Sequence, residues 1–214
     1  MKTRFDQAAA GWDQDQQRVR MAESIADVMR ESLHLNGNQV LMDYGTGTGL
    51  IALKFQPQVH RIVAVDLSQG MLDILHAKLV QQNISNIELL KASAAGNAAL
   101  PAVDVIVSSM ALHHVRDTAA AAKSFWEALK PGGQIAIADL DEDNGEFHGD
   151  PRAAAHPGFN RARLQATFAD LGFKSLVFQN AYAVEKTVTD GQKKVFTIFL
   201  MIGKKPLERL PESR

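Results

Sequence analysis

The chain has 214 residues, 46% of them hydrophobic and 22% charged, with a formal net charge of −1. That length supports one well-cored domain, and the charge balance exerts no global pull on nucleic acid or an anionic membrane. There is no cysteine, which excludes disulfides, thiolate metal sites and a cysteine nucleophile.

The opening stretch "MKTRFDQAAAGWDQDQQRVR" has no apolar run of signal-peptide length. Nowhere do about 18 apolar residues run together, so a cytoplasmic protein without membrane insertion is expected. Met21, Ile25, Val28, Met29 and Leu33 recur at helical spacing and predict a helix over 13–35, stopped by Asn36-Gly37-Asn38. Val40 to Tyr44 reads as a buried strand, followed by a glycine loop and a helix to Phe55. "RIVAVD", ending at Asp66, is a second buried strand. Ser68 is a good N-cap for an amphipathic helix to Asn83. "NIELLK" is a third strand and Val103 to Ser109 a fourth. A helix over 118–129 ends at the turn "KPGG", and "QIAIADL" is a fifth strand. Strands that alternate with helices and are apolar throughout indicate a parallel sheet covered on both faces.

The C-terminal part breaks this rhythm. A helix near 159–171 precedes "FKSLVFQN" and "KVFTIFLMIGKK", two strands with "AYAVEKTVTDGQK" between them as a connection without a helix. Such a pair is most simply antiparallel. The expected fold is therefore α/β and doubly wound, with a mostly parallel seven-stranded sheet and an antiparallel C-terminal strand. Residues 1–36 read as an N-terminal arm and helix forming a lid or cap. Residues 37–203 read as one ligand-binding domain with 140–158 as a pocket loop, and 204–214 as a tail.

Chemistry concentrates at "VLMDYGTGTGLIALKF". Gly45, Gly47 and Gly49 alternate with Thr46 and Thr48 at the carboxyl end of the first strand, where doubly wound sheets bind ligands. Glycine there permits positive φ and close approach of the backbone. Asp66 ends the second strand, the position from which a carboxylate accepts hydrogen bonds from both ribose hydroxyls; the alternative is a capping or loop residue. No lysine follows the last glycine, which excludes a P-loop. "GTGLIA" also fits the dinucleotide pattern, so a nicotinamide-dependent oxidoreductase is a rival. Tyr182 and Lys186 carry the spacing of short-chain dehydrogenases, but they share a helical face only if that segment is a helix.

"DYGTGTG", "VAVDLSQGML", "VDVIVSSMALHHV" and "LKPGGQIAIAD", in this order, resemble the class I S-adenosylmethionine-dependent methyltransferases over residues 38–140. "RFDQAAAGWD" resembles the opening of the small-molecule branch, which includes ubiquinone and menaquinone biosynthesis methyltransferases. The resemblance implies S-adenosyl-L-methionine as cofactor. It implies that Asp43 and the loop Gly45, Thr46, Gly47 and Gly49 hold the methionine part, that Asp66 takes the ribose, and that Leu67 and Met71 pack on the adenine. Where the family carries an aspartate for the adenine amine, this chain has "KASAAG". Ser93 hydrogen-bonds without a charge there, or backbone near Ala94 reads the base. Ser108 and Ser109 stand where the family contacts the amino acid part or admits the acceptor. A non-catalytic binding protein of the same fold is a further alternative.

Methyl transfer needs alignment and exclusion of water more than covalent machinery. His113 and His114 follow the fourth strand at the catalytic end of the sheet and are the candidate bases. The alternative is structural, with one ring capping the next helix and the other packing or bonding to backbone. Lys78, Lys91, Lys123 and Lys130 are scattered and read as solvated, so a small-molecule acceptor is expected and no nucleic acid. A monomer or homodimer is expected. Asp139, Asp141 and Asp143 miss the spacing of a calcium loop and read as a solvated acidic loop, so no metal is expected. Phe5 and Trp12 on the arm, and Phe147 and His148 in the insertion after the fifth strand, are candidates for a pocket roof. The arm to Asp15 is expected to be mobile without ligand and to close with it. The alternative is that its two rings simply pin the first helix to the sheet.

Overall fold

The computed structural model describes residues 3–92, 100–150, 153–189 and 191–207. Seven strands form one sheet: β1 (Val40–Tyr44), β2 (Arg61–Asp66), β3 (Ile87–Lys91), β4 (Val103–Ser109), β5 (Leu129–Leu140), β6 (Lys174–Thr187) and β7 (Lys193–Lys204), in the order β3-β2-β1-β4-β5-β7-β6. β1 to β5 pair in parallel, and β7 runs antiparallel to both its neighbours, β5 and β6. The helices are α1 (Arg4–Ala8), α2 (Gln16–Ser32), α3 (Leu50–Phe55), α4 (Gln69–Gln81), α5 (Thr118–Ala128) and α6 (Arg161–Asp170).

Alternation along the buried strands sends neighbouring side chains to opposite faces. Leu41, Ile62, Ala64, Val105 and Ala136 pack under α2, α3 and α4, where Ile25, Met29, Phe55 and Leu75 are fully buried. Met42, Val63, Val65, Ile106 and Ile135 pack under α5 and α6 against Phe125, Phe168 and Phe173. Each such phenylalanine contributes about 1.5–3 kcal/mol by leaving water, and helices cover both faces of the parallel strands.

Two elements differ from the sequence expectation. The helix expected over 13–35 begins later. Residues Ala9–Gln14 form a 3-10 helix, and Asp15, in extended conformation, caps α2 by accepting from the N–H groups of Gln17 and Arg18. The segment expected to be a connection is largely strand: β6 runs on to Thr187 and pairs with β7 as far as Lys193. Beyond Thr187, Val188 N donates to Gln192 O at 2.9 Å before β7 begins. Tyr182 and Lys186 therefore sit in a strand, where residues four apart are about 13 Å from one another, and the dehydrogenase pairing is lost.

Candidate active site

The chain leaves β1 for β2 and β3 and returns to β4 on the other side, so the loops after β1 and β4 part at a switch point. A cavity of about 370 Å³ opens there, within the range of about 300–1,000 Å³ common for small-molecule pockets.

The three loop glycines all take positive φ: 76° at Gly45, 54° at Gly47 and 84° at Gly49. Their roles differ. A Cβ on Gly45 would lie 2.3 Å from Cβ of Ala111, and one on Gly49 would lie 2.3 Å from Cδ1 of Leu75. Those side chains are absent so that the segment after β4, and helix α4, can close on the loop. A Cβ on Gly47 would meet no atom within 4 Å, and Gly47 lines the cavity with Gly45, Thr46 and Thr48. There the missing side chain opens space for something else.

Asp66 clips the loop in place. Its Oδ2 accepts from Gly47 N at 2.8 Å and its Oδ1 from Ser68 N at 2.8 Å, joining the turns after β1 and β2. It also lines the cavity, beside Leu67 and Met71. Burial raises its pKa, against the pull of those N–H groups. Asp43 is buried beneath the loop and does not reach the cavity; it accepts from Thr46 Oγ1 at 2.7 Å. Burial, to which the charge of Asp66 adds, raises Asp43 to about 7. Ser108 is buried as well, donating to Tyr44 O at 2.8 Å, while Ser109 faces the cavity. Successive strand residues point to opposite sides, so one of the two had to turn inward. Ser93 and Ala94 lie outside the described residues; their neighbour Ala92 lines the cavity.

The arm lies across this site. Asp6 Oδ1 accepts from Ser68 Oγ at 2.6 Å and from Gly70 N at 3.0 Å, so an arm carboxylate sits on the N-terminus of α4. Asp13 accepts from Thr48 Oγ1 at 2.6 Å and pairs with Lys78 Nζ at 2.5 Å. Lys78 also donates to Thr48 O, which corrects its reading as a solvated lysine. Phe5 and Trp12 both line the cavity, meeting edge to face with ring centroids 5.9 Å apart. Arg18 covers Trp12 at 3.9 Å and donates to its carbonyl. Both rings therefore line the cavity, with Trp12 against Arg18 of α2 and Phe5 against His114 after β4.

His113 and His114 occupy a 3-10 turn after β4. His113 is buried, with Nδ1 2.5 Å from Oδ1 of Asp139. A carboxylate only accepts, so Nδ1 donates to Asp139 and Nε2 is the ring nitrogen left facing His148. Asp139 also accepts from the N–H groups of Leu112, His113 and Leu140 and is fully buried. This corrects its reading as part of a solvated acidic loop. Asp143, also buried, accepts from Gly145 N and Phe147 N and so shapes the turn that brings Phe147 and His148 to the cavity. Nε2 of His148 stands 3.1 Å from Nε2 of His113. The ring of His114 meets Phe5 at 5.0 Å. Burial, and then the charges of His113 and Arg4, lower His114 to about 2 and His148 to about 4, so both rings are neutral at pH 7.

Of the candidate residues, the cavity wall brings together Gly45, Thr46, Gly47, Asp66, Leu67, Met71, Ser109, His113, His114, Phe5, Trp12, Phe147 and His148. Asp43, Gly49 and Ser108 stand behind it. Sequence reasoning missed Asp139, although it lies one residue from the end of β5 much as Asp66 ends β2, and that position was the available signal. It also missed Asp6 and Asp13, whose partners lie 62 and 35 residues away, and Arg4, Arg18 and Lys186 on the cavity rim.

Residues 41–133 match the model of a methyltransferase domain family. An uncharacterized methyltransferase of Schizosaccharomyces pombe is 30% identical over 146 residues, covering 64% of this chain and 51% of that protein. The ubiquinone/menaquinone biosynthesis C-methyltransferase UbiE of Escherichia coli is 28% identical, covering 68% of this chain and 70% of that one. Among solved structures, the YcgJ protein of Bacillus subtilis superposes with a TM-score of 0.71 at 18% identity, over 86% of this chain and 99% of that one. The chain spans about half the length of the uncharacterized fission-yeast and mycobacterial methyltransferases it matches. No helix among the described residues is long and apolar enough to cross a membrane. A sheet with β7 antiparallel between β5 and β6, a glycine loop opening on the switch-point cavity, and relatives named as methyltransferases together support a class I S-adenosylmethionine-dependent methyltransferase.

Proposed function

We propose that the chain transfers a methyl group from S-adenosylmethionine to a small-molecule acceptor in the cavity at the ends of β1, β2 and β4. The observation that carries this reading is Gly47. Its missing side chain serves no packing, and it leaves free space beside Asp66 in a pocket of metabolite size. When bound, the cofactor supplies a sulfonium-activated methyl carbon.

The chain's own residues hold, orient and shield. The loop Gly45–Thr48 takes the methionine part with its backbone. Asp66 offers its remaining lone pairs to the ribose hydroxyls, and Leu67 and Met71 flank the adenine. Asp43 and Asp139 hold the surrounding turns in register. Phe5 and Trp12 roof the pocket and exclude water, which strengthens every polar contact inside. His113 Nε2 is the base for an acceptor that must lose a proton, because Asp139 fixes its tautomer and stabilises the imidazolium that forms. With Arg18 paired to Asp15 on the rim, Arg4 and Lys186 are the cations that favour an acceptor bearing negative charge over a cationic one. The reading includes a monomer or homodimer working in the cytoplasm on a metabolite, not on nucleic acid, in keeping with the chain's near-zero net charge.

The test is transfer of labelled methyl from S-adenosylmethionine into a fractionated metabolite extract. The proposal expects label in a small-molecule fraction with stoichiometric S-adenosylhomocysteine. Label that enters only protein or nucleic acid refutes the acceptor class. Release of no S-adenosylhomocysteine by a folded protein that binds the cofactor supports a non-catalytic binding protein instead.

A further inference from the structure

Methyl transfer needs one base, yet three imidazoles meet on one wall of the cavity. Ring nitrogens of His113, His114 and His148 all lie within 4.8 Å of one another. The Nε2 atoms of His113 and His148 are 3.1 Å apart. Two ligand nitrogens on a tetrahedral ion, with bonds of about 2.0–2.1 Å, are about 3.3 Å apart, so this pair already stands at ligand spacing. We propose that His113, His114 and His148 form a binding site for a divalent transition ion of the zinc class, with one position left open toward the cavity.

Three observations converge on this. The donor set is all imidazole nitrogen, which suits zinc and its neighbours and not calcium or magnesium, which take oxygen. The outer shell is built. Metal-bound histidines almost always donate their second ring N–H to a carboxylate or carbonyl, which fixes the ring and its tautomer. His113 has Asp139 in that role at 2.5 Å. The scaffold is firm as well. His113 and His114 share one 3-10 turn, and the carbonyl of His113 accepts from the N–H groups of Ala155 and His156. The turn bearing His148 is held by Asp143.

A simple N–H···N hydrogen bond from His148 to His113 accounts for two of the rings but not for a ring nitrogen of His114 within 4.8 Å of both. The open position would take an oxygen or sulfur of the acceptor, lowering the pKa of its X–H group; with the ion bound, this replaces proton removal by His113, whose Nε2 lone pair the ion then occupies. The ion site itself rests on ring geometry and not on the methyltransferase reading.

The test uses the full chain, stripped with chelator and titrated with zinc chloride by calorimetry and with cobalt chloride by visible absorption. Expected are one equivalent of zinc and the intense d–d bands of four-coordinate cobalt. His148→Ala should weaken zinc binding at least about tenfold, and Asp139→Asn by about 10–100-fold, the usual effect of losing an outer-shell partner. His76→Ala, on the exposed face of α4, should change nothing. If Asp139→Asn fails to fold, His148→Ala and His114→Ala carry the test, with circular dichroism as control. Absence of zinc binding by the parent chain overturns the proposal, as does binding that survives His148→Ala. S-adenosylhomocysteine is titrated into the same samples. In the parent chain, nucleoside binding without zinc binding overturns the ion site alone, and zinc binding without nucleoside binding overturns the cofactor reading alone.

Discussion

Replacing each loop glycine in turn separates space kept for packing from space kept for a ligand. At Gly47, φ is 54° and a Cβ would meet nothing within 4 Å. The cost of Gly47→Val to the free protein is therefore the backbone cost alone, about 1–2 kcal/mol for an L-residue in left-handed conformation. In a domain of this size that is a fall in melting temperature of about 2–4 °C per kcal/mol. The same isopropyl group fills the cavity beside Asp66, so affinity for S-adenosylhomocysteine should fall at least about 100-fold, or about 2.7 kcal/mol. Gly45→Ala behaves in the opposite sense. Its Cβ would stand 2.3 Å from Cβ of Ala111, an atom that no rotamer moves, and overpacking adds about 1–3 kcal/mol to the backbone cost. Gly49→Ala meets the tip of Leu75, a flexible neighbour, and should cost less than Gly45→Ala. Thermal unfolding and titration calorimetry on the three variants give the comparison. If folded Gly47→Val binds S-adenosylhomocysteine within about threefold of the parent chain, or about 0.6 kcal/mol, the loop is a structural turn and the reasoning fails.

Asp66→Ala should weaken S-adenosylhomocysteine binding by about 1.5–3 kcal/mol, the range for hydrogen bonds to a charged group. It should also speed hydrogen exchange at Gly47 and Ser68, and unchanged affinity in calorimetry would remove Asp66 from the site. Asp43, at about 7 when folded and 3.8 ordinarily, holds a proton between those values that the unfolded chain has lost. Its contribution thus favours the fold at low pH and is lost as pH rises from about 4 to about 7. Asp43→Asn should remove that slope and stabilise the ligand-free protein by on the order of a few kcal/mol at pH 8; denaturant unfolding of both proteins giving parallel pH profiles would contradict this. Hydrogen exchange over residues 4–14 should slow when S-adenosylhomocysteine binds, and Asp13→Ala, which frees Thr48 and Lys78, should hasten it without ligand. Full protection in the parent chain, unchanged by ligand, would make the arm a fixed wall and no lid.

Strands β1 to β5 were legible because parallel strands buried on both faces must be apolar runs. The outer half of β6 was not. It lies at the sheet edge, where Ala181 and Val184 are buried while Glu185 is exposed, and such a half-wet, charged segment reads as a loop. In the site, the glycine loop and Asp66 were legible because their roles follow from position on a strand end. Asp139 was hidden among acidic neighbours, since its meaning depends on a histidine 26 residues earlier. Asp6 and Asp13 looked like solubilising charges on a polar arm, and only the folded chain shows that each completes a turn near the cofactor loop.

The central claim is that the cavity over Gly47 is shaped for S-adenosylmethionine and not for a dinucleotide. Titration calorimetry of the parent chain with S-adenosylhomocysteine and, separately, with NAD tests it most directly. The account predicts saturable binding of one S-adenosylhomocysteine per chain, abolished in Gly47→Val, and no heat of binding with NAD. Saturable binding of NAD, with none for S-adenosylhomocysteine, would contradict it.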